Sequence, residues 1–564
     1  MPQSVLQRAR VLGLLPNPLS TAALEDVLSL SKAEIEAEDP ETLTISATPD
    51  RLDLLSEGGL GLYLQGATDA ARGLARPRVV EGPSAAPLFD RDPSVAGLRP
   101  EIAAVVVSAP TDAGIDEGLL AEAVRFQELL HATVGRGRRT GSLGIYPLDR
   151  LTPPFRYALE PLAGVRFVPL DGSEEIGAER FFREHPLALR YGTFGRIDDH
   201  CLTLRDAQGL VLSLPPILNG RTGGEARIGD RRLLLESTGL RSRTVRELLG
   251  LLLVVFVSRG WSVSPVAVHQ DGRTVDDGRS VFEARGVDLF GETLRGIAGV
   301  AYPSSEVEHR LARARLSARP HSGGWHVEVP PWRPDLLTGV DLAEDVVLAQ
   351  RLEGKDGVVP PSRSRGRRRA ETRFRRSIGA ALLGLGLAAP YTSVLVSDSA
   401  VGRLTGATPI RLAHPPSSEF AYVRDRLLLS HLEVLAHNTR HAYPQSFGEV
   451  GPVVVRDPDA EAGGATRYHA GVVFAREGAG FADAAAVIDY LLRSLDILAV
   501  REPCELPGTI PGRAARVRVA GDPVAELAEI DPGVLTSIGV PVPVAWAELD
   551  LSRLYPLLGR RDSD

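Results

Sequence analysis

The chain has 564 residues, of which 43% are hydrophobic and 24% are charged, and it carries a net charge of -8 at pH 7. This is the composition of an ordinary globular protein with a sizeable core, long enough for roughly three to four domains. The acidic balance excludes a protein that binds nucleic acid through an overall basic charge, although a local basic groove is compatible with it.

No segment of the sequence predicts a membrane span or a secretory signal. The longest apolar run, at 248–257, is far shorter than the roughly 20 residues that cross a bilayer. Gln7, Arg8 and Arg10 interrupt the apolar residues near the N-terminus, which is not typical of a signal peptide. The two cysteines form neither a CxxC pair nor a disulfide framework, which indicates a reducing compartment. We therefore expect a cytoplasmic protein with no membrane partner.

The first 270 residues predict an N-terminal domain with a linker (1–97) and a mixed α+β domain (98–270). The apolar spacing after Asp53 predicts a helix, and 74–97 is rich in Pro, Ala and Arg without a clear period, which is typical of a linker. In the mixed domain, short β-branched or apolar runs predict strands, and helical apolar spacing predicts helices. The predicted strands are 102–107, 142–146, 202–204, 211–213 and 233–236, and the predicted helices are 117–135 and 242–260.

The rest of the chain predicts a small domain at 271–358 and a last α+β domain at 359–564, so the fold class is α+β and multidomain. The arginine-rich stretch 363–369 between them favours either a solvated linker or a contact with a phosphate backbone. The small domain is predicted to contain helices at 292–299 and 304–315, a strand at 325–329 and an acidic helix. The last domain is predicted to contain strands at 392–396, 453–455, 471–474 and 515–519, and helices at 424–438 and 484–496.

The acidic helix and its entry hold four carboxylates: Asp335, Asp341, Glu344 and Asp345. Helical spacing places the last three on one face, with Asp335 just before the helix. Like charges this close repel unless a positive group neutralises them, and Mg2+ is a hard cation that oxygen ligands alone can hold. The first turn of a helix also favours acidic residues. Spacing alone therefore leaves open a metal site and a solvated helix face.

Common catalytic motifs are absent from the sequence: there is no Walker loop, no GxGxxG after a strand and no GxSxG. His431, His437 and His441 fall on or near one predicted helix. Because the Glu of an HExxH motif is missing, we interpret them as surface or partner-facing histidines rather than zinc ligands.

Segments spread over essentially the whole chain form a colinear pattern. They are TPDRLDLLSEGGLGLYLQG, RPEIAAVVV, LSLPPILNG, LLLESTG, VPPWRPDLLTGVDLAEDVV, HPPSSEFAYVRDRLLLSHLEVLAHN, PQSFGEVGPVVV, PGRAARVRV, AEIDPGVL and AWAELDL. In this order they resemble the β subunits of phenylalanine–tRNA ligases of the archaeal and eukaryotic type. The acidic segment is similar to that family's signature VPxxRxDI…DixEDv. The colinearity of many segments is more specific than any one motif.

The resemblance implies an α2β2 enzyme whose α subunit attaches phenylalanine to tRNA(Phe) with ATP as substrate. For this chain it implies an editing domain at 98–270, a small winged-helix-like, metal-bearing domain at 271–358, and a degenerate class II synthetase-like core at 359–564. That core would bind α and catalyse no aminoacylation. The resemblance also assigns a Mg2+ site, shared with α, to Asp335, Asp341, Glu344 and Asp345.

The resemblance further implies that the editing domain hydrolyses tRNA(Phe) mischarged with tyrosine. A pocket built for an apolar ring rejects an added hydroxyl only modestly, so a second site must remove the error. Glu236 is a candidate acceptor for the phenol, at a position where the family more often has Asp. The pocket positions map onto Leu204, Ser213, Glu236 and Thr238.

The chain departs from the family pattern at Pro147 in the editing domain and at His414, Leu429 and Gly448 in the last domain. Drift at packing positions would explain these departures, and so would a specialised second copy with a resistance or biosynthetic role. A free-standing aminoacyl-tRNA hydrolase and a non-catalytic RNA-binding module are further alternatives, the latter supported mainly by the arginine-rich stretch.

Overall fold

The structure is a computed structural model that describes residues 1–80, 88–349, 359, 364–403 and 409–558, with side chains described for all of these except 401–403. The chain divides into two compact units, 1–357 (unit 1) and 358–564 (unit 2). Arg363 and the domain boundary near 358 lie outside the described residues, whereas 364–369 are exposed and have no regular secondary structure.

Unit 1 begins with a small antiparallel sheet and its helices. Ser4 and Leu6 of the first strand are buried while their neighbours are exposed, as expected for a strand packed on one face. The sheet has the strand order β1-β3-β2, and α3 confirms the helix predicted after Asp53. The elements are β1 (Gln3–Gln7), α1 (Arg8–Leu12), α2 (Thr21–Leu28), β2 (Ala33–Glu38), β3 (Thr42–Ala47) and α3 (Glu57–Ala67).

A large mixed sheet with flanking helices follows, and it confirms the strands and helices predicted for 98–270. Its strands are β4 (Arg78–Val79), β5 (Leu88–Arg91), β6 (Glu101–Ser108), β7 (Gly141–Pro147), β8 (Phe155–Pro161), β9 (Arg166–Phe167), β10 (Ile176–Gly177), β11 (Arg196–Ile197), β12 (His200–Arg205), β13 (Val211–Leu214), β14 (Leu218–Asn219), β15 (Arg232–Gly239), β16 (Ser262–Gln270) and β17 (Arg273–Asp276). Its helices are α4 (Glu117–Ala132), α5 (Ala178–Glu184), α6 (Pro186–Tyr191), α7 (Arg221–Gly224) and α8 (Ser242–Val257). The pair β9 and β10 stands apart from the large sheet.

The large sheet curls until its two ends meet. Its strand order is β14-β13-β12-β8-β5-β16-β6-β15-β7, so β13 and β7 lie near opposite ends. Nevertheless, Tyr146 on β7 and Ser213 on β13 are hydrogen-bonded at 2.9 Å. The strand β6 in the middle is buried on both faces, with Val105 packed toward α4 and α8 and Val106 packed toward β8 and β12. The curl creates a seam between β7 and β13.

The linker prediction for 74–97 is wrong at β4, which pairs with β16, and for its last part. β5 pairs with β8 and β16, and Phe89 is fully buried in the core of the curled sheet. The strand is only four residues long, too short for its alternation to stand out beside the surrounding Pro and Ala. Residues 81–87 lie outside the described part of the chain.

Unit 1 ends in a small sheet with the order β18-β20-β19 and three helices. Leu289, Val327 and Leu342 form part of a shared apolar core, and the predicted helices and strand are confirmed. The elements are β18 (Arg285–Phe290), α9 (Gly291–Ala298), α10 (Ser304–Arg313), β19 (Ser317–His321), β20 (Gly324–Val329) and α11 (Gly339–Leu348).

Unit 2 is built on an antiparallel sheet with the order β24-β25-β29-β28-β27-β26. Its elements are α12 (Ala370–Gly384), β21 (Leu395–Val396), α13 (Asp398–Arg403), β22 (Ile410–Arg411), β23 (Tyr422–Val423), α14 (Leu427–His437), β24 (Gln445–Arg456), β25 (Gly464–Ala475), α15 (Phe481–Ser494), β26 (Val500–Pro503), β27 (Thr509–Val519), β28 (Asp522–Ile530), α16 (Pro532–Ser537), β29 (Val544–Asp550) and α17 (Leu551–Leu558). One face packs on α12, α15 and α17, and the other packs on α14. The strand predicted at 392–396 is confirmed only for its last two residues.

Two of the three departures in unit 2 lie at packing positions. Leu429 is fully buried within α14, and a Cβ added at Gly448 would come within 3.2 Å of Leu382 and Leu387. His414 is exposed. These positions favour drift in the packing of the core over a new site.

The surface prediction for the three histidines is confirmed for His437 and His441, which are exposed. It is wrong for His431, whose side chain is fully buried beside Glu449 on the inner face of α14. Among the described residues, none of the helices combines the length and apolar character that a bilayer span requires.

Candidate functional site

A cavity of about 230 Å³ lies at the seam between β7 and β13. Its walls come from α4, β7, the segment that follows β13, residues 224–226 and Glu236 on β15. The curl of the sheet brings these parts together and so creates the cavity. More of its surface is apolar than polar. The part of the wall formed by Tyr146, Ser213 and Glu236 is called its polar side here, and Gln127, Glu128, His131 and Arg138 are further polar residues of the wall. The lining includes Leu120, Val124, Leu143, Ile145, Tyr146, Ser213, Pro215, Ile217, Leu218, Asn219 and Glu236. An apolar cavity with a few convergent polar groups is the common form of a small-ligand site.

The polar side of the cavity is a hydrogen-bonded triad of Tyr146, Ser213 and Glu236. The Tyr146 hydroxyl donates to Glu236 Oε1 at 3.0 Å and lies 2.9 Å from Ser213 Oγ. All three side chains are at least 98% buried. Glu236 Oε2 is buried and has no hydrogen-bond partner among the described residues. A buried oxygen without a hydrogen bond is unfavourable. Glu236 Oε2 therefore marks the place where a hydrogen-bond donor of a ligand would be stabilised.

The charge of Glu236 is set by burial and by two neighbours. Burial raises the pKa of Glu236, while the hydrogen bond from Tyr146 and the positive charge of Arg99 lower it, with a net value of about 7. Arg99 is itself fully buried and donates to Thr238 Oγ1 at 3.0 Å and to Ser142 Oγ at 3.1 Å. A carboxyl group with a pKa near 7 in a cavity is typical of a functional site.

Glu236→Gln is expected to stabilise unit 1 at alkaline pH. Below about pH 4.5 the carboxyl is protonated in both folded and unfolded chains, so its ionisation costs nothing. As the pH rises toward 7, the unfolded chain ionises while the buried group resists, and the wild type loses stability. Denaturant unfolding at pH 5 and pH 8 should therefore show an advantage for the variant that grows to about 3 kcal/mol. An advantage that stays constant with pH would contradict this ionisation.

The structure brings two of the four predicted editing residues into the cavity. Ser213 and Glu236 line it, whereas Leu204 and Thr238 do not. Leu204 is buried in the apolar core together with the ring of Tyr146, and Thr238 contacts Arg99. Sequence reasoning did not assign Tyr146 or Arg99 to the site. The sequence contained a weak signal for Tyr146, because Pro147, which directly follows it, is one of the departures from the family pattern.

Arg138 fixes the segment at the mouth of the cavity. Its guanidinium donates to the carbonyl oxygen of Ile217 at 2.7 Å and to Glu128 Oε1 at 2.7 Å. Burial would raise the pKa of Glu128, but its hydrogen bond to His131 and the charge of Arg138 lower it to about 2. The mouth is therefore held by a charge pair that stays ionised over the physiological pH range.

The four acidic residues predicted to bind Mg2+ are in three different settings. Arg333 binds Asp335 and Asp345, with its Nη2 2.8 Å from Asp335 Oδ2 and 2.9 Å from Asp345 Oδ2. Asp341 accepts from the backbone amides of Leu337 and Thr338 at 2.9 and 2.7 Å, as in a helix-capping box. Asp335 also lies in the field of Arg51, from the N-terminal part of unit 1.

Glu344 binds Lys32, whose Nζ lies 2.7 Å from both Glu344 Oε2 and Asp50 Oδ2. Protein cations and helix amides thus supply the neutralisation for which the sequence suggested a metal. Among the described residues, no three Asp, Glu, His or Cys side chains are grouped so as to hold a metal ion. In this chain by itself the four residues do not fit a Mg2+ ion, and a site completed by a partner subunit stays a prediction.

A second polar cleft, of about 310 Å³, lies on the sheet of unit 2. His469 stands in it between Glu548, 2.6 Å away, and Asp550, 3.5 Å away. Burial alone would lower the pKa of His469, but the close carboxylate of Asp550 and the hydrogen bond to Glu548 raise it to about 9. The cleft is therefore an internally paired ionic network.

Comparison with known proteins places two family models on the chain. Residues 287–350 match the model described as the tRNA synthetase B5 domain, and residues 357–551 match the phenylalanyl tRNA synthetase beta chain CLM domain. The first match falls within α9 to α11 and their sheet, and the second covers most of unit 2.

Curated relatives are similar over nearly the full length. The phenylalanine–tRNA ligase beta subunit of Halobacterium salinarum is 30% identical over 545 residues, covering 92% of this chain and 94% of that protein. The corresponding subunit of Korarchaeum cryptofilum is 28% identical, covering 94% and 95%. Among solved structures, an N-terminal fragment of the Pyrococcus horikoshii phenylalanyl-tRNA synthetase beta subunit matches with a TM-score of 0.57. At 22% identity it covers 62% of this chain and 99% of the fragment, which is a likeness of fold.

Proposed function

Because the chain belongs to the phenylalanine–tRNA ligase beta subunit family, we propose that it supports the ATP-dependent attachment of phenylalanine to tRNA(Phe) by a partner α subunit. The observation that carries this proposal is similarity over more than nine tenths of the chain to beta subunits of archaea. ATP would be a substrate of the assembled enzyme. This chain contributes no residue that catalyses the charging step.

Unit 2 is the proposed partner of the α subunit. It contains the match to the CLM domain of the family, and the charged side chains His469, Glu548 and Asp550 that line its sheet cleft are paired with one another. An internally neutralised cleft suits a subunit that has a structural task in the α2β2 assembly. Cytoplasmic location and binding of tRNA(Phe) belong to the same proposal.

Co-expression with the α subunit tests the assembly. We expect the two chains to purify together with the mass of a heterotetramer, and the chain alone to leave phenylalanine unactivated in an ATP–pyrophosphate exchange assay. A chain that stays separate from α under these conditions would contradict the assembly.

For the cavity of unit 1 we propose the editing of tRNA(Phe) mischarged with tyrosine. Ser213 and Glu236 support this, because a buried carboxylate and hydroxyl in an apolar cavity distinguish a phenol from an unsubstituted ring. In the reaction, water adds to the ester carbonyl carbon and the ester C–O bond breaks. The amino acid leaves as a carboxylate, one proton of the water goes to the tRNA ribose oxygen, and the other is released to solvent.

Deacylation of preformed Tyr-tRNA(Phe) tests the editing proposal. Glu236→Gln and Ser213→Ala should each lower kcat/KM about 10- to 100-fold, because the first replaces a carboxylate acceptor of the phenol with a weaker amide and the second removes a hydrogen-bond partner. Glu247→Gln, which alters an exposed ion pair on α8, is the matched control and should leave the rate unchanged. Equal rates for all variants would show that the cavity takes no part in the reaction.

The same assays separate the alternative functions. A free-standing hydrolase would deacylate Tyr-tRNA(Phe) at full rate without α and would fail to assemble with it. A specialised second copy would assemble with α and charge tRNA(Phe), but would differ from a housekeeping enzyme in its response to inhibitors.

A further inference from the structure

Tyr146 already makes, inside the protein, the hydrogen bonds that a hydroxylated aromatic ligand would make in the cavity of unit 1. Its phenol hydroxyl donates to Glu236 Oε1 at 3.0 Å and lies 2.9 Å from Ser213 Oγ. The residue that fills the polar side of the cavity is therefore itself a p-hydroxyphenyl group, the same group that distinguishes tyrosine from phenylalanine.

The strand is shaped to hold the Tyr146 ring in this place. Gly144 lies two residues earlier on the same face of β7, and a Cβ added there would come within 2.3 Å of the Tyr146 hydroxyl oxygen and 2.6 Å of the ring. The ring folds back over the strand only because residue 144 has no side chain. Gly144 is also the register partner of Glu236 on β15, which brings the hydroxyl to the carboxylate.

In this position Tyr146 closes the cavity on its polar side. The Tyr146 side chain is 1% exposed, and Glu236 Oε2 is buried without a partner among the described residues. Leu204, which packs in the same core cluster as Tyr146, is kept out of the cavity lining. A ligand hydroxyl that takes over the hydrogen bonds at Glu236 Oε1 and Ser213 Oγ must therefore displace the phenol of Tyr146.

We propose that Tyr146 is an internal competitor, a phenol that occupies the hydrogen-bonding groups of Glu236 and Ser213 and that every ligand ring must displace. This inference rests on the proposed editing function and adds the residue that sets its threshold. Displacement by a hydroxylated ring exchanges one set of hydrogen bonds for another. Displacement by an unsubstituted ring leaves Glu236 and Ser213 buried and unpaired, which is unfavourable. Correctly charged Phe-tRNA(Phe) is thereby kept out of the site.

Tyr146→Phe tests the inference, because it keeps the ring and removes only the hydroxyl. The closed state then loses its hydrogen bonds, so every competing ligand enters more easily. We expect kcat/KM for deacylation of Tyr-tRNA(Phe) and of Phe-tRNA(Phe) to rise by the same factor, about tenfold or more. The ratio of the two rates should stay unchanged, since Tyr146 is displaced in both bound states.

A second variant and a matched control keep the test decisive. Gly144→Ala places a methyl group against the Tyr146 hydroxyl and should raise both rates in the same way. Tyr63→Phe removes a phenol outside the cavity, whose hydrogen bond goes to the Val27 carbonyl oxygen at 3.1 Å, and should change neither rate. If Tyr146→Phe lowers Tyr-tRNA(Phe) deacylation or leaves both rates unchanged, the inference is overturned.

Binding of p-cresol and toluene to the full chain separates this inference from the editing proposal. Tyr146→Phe should bind both probes about tenfold more tightly than the wild type, measured by calorimetry or ligand-observed NMR. This result in a protein that deacylates nothing would uphold the role of Tyr146 and reject editing. Equal affinities of variant and wild type would overturn the role of Tyr146 even where editing is active.

Discussion

Arg333→Met is expected to lower the free energy of unfolding of unit 1 by about 3–5 kcal/mol, the cost of leaving buried carboxylates without their counter-ion. Arg333 is 3% exposed and bridges Asp335, which precedes α11, to Asp345 within α11. Burial alone would raise the pKa of Asp335, but the positive charge of Arg333 holds it below its ordinary range. Methionine keeps the aliphatic stem, so the loss reports the charge.

The loss can be measured by denaturant unfolding of the full chain, with hydrogen exchange of peptides from α11 locating it in unit 1. Arg243→Met is the matched control, because its ion pair with Glu247 lies on the surface of α8 and should contribute at most about 1 kcal/mol. Comparable losses for the two variants would show that Arg333 does not neutralise the acidic cluster.

Arg424→Met is expected to cost unit 2 a similar amount, about 3–5 kcal/mol. Arg424 is fully buried, and it donates to Glu449 Oε1 at 3.0 Å and to the Pro452 carbonyl oxygen at 2.9 Å. Without it, Glu449 stays buried next to His431, 3.3 Å away. Because this network joins α14 to β24, we also expect weaker assembly with the α subunit.

Hydrogen exchange of peptides from β24 and β25 measures the second loss directly. Arg501→Met serves as the comparison, since its pair with Asp489 is about one third exposed on each side and should have little effect. If β24 and β25 exchange as slowly in Arg424→Met as in the wild type, the buried pair does not hold this part of unit 2 together.

Sequence patterns predicted the elements with strong periodicity and missed those whose partners are distant. The apolar spacing of Val245, Leu248 and Leu252 made α8 predictable, since these residues form one buried face. Nothing in the sequence pairs Tyr146 with Ser213, which are 67 residues apart and meet only because the sheet curls. The colinear resemblance pointed to Ser213 and Glu236, but it did not reveal that the Tyr146 hydroxyl is hydrogen-bonded to both of them.

The acidic cluster shows that the spacing of carboxylates in the sequence does not reveal which groups neutralise them. The four carboxylates suggested a missing positive ion, and the nearest candidate, Arg333, stands only two residues before Asp335. The other neutralising group, Lys32, is 312 residues away from Glu344 and could be found only in the folded chain. Of the four carboxylates, Asp335 and Asp345 thus share Arg333, whereas Asp341 and Glu344 have partners of their own.

The most direct test of the proposed role follows the charging of tRNA(Phe) by the complex with α, given ATP and either phenylalanine or tyrosine. We expect Phe-tRNA(Phe) to form only when both chains are present. Tyr-tRNA(Phe) should accumulate with the Glu236→Gln complex and stay undetected with the wild-type complex. Charging by α without this chain, or equal accumulation of Tyr-tRNA(Phe) in the two complexes, would contradict the account.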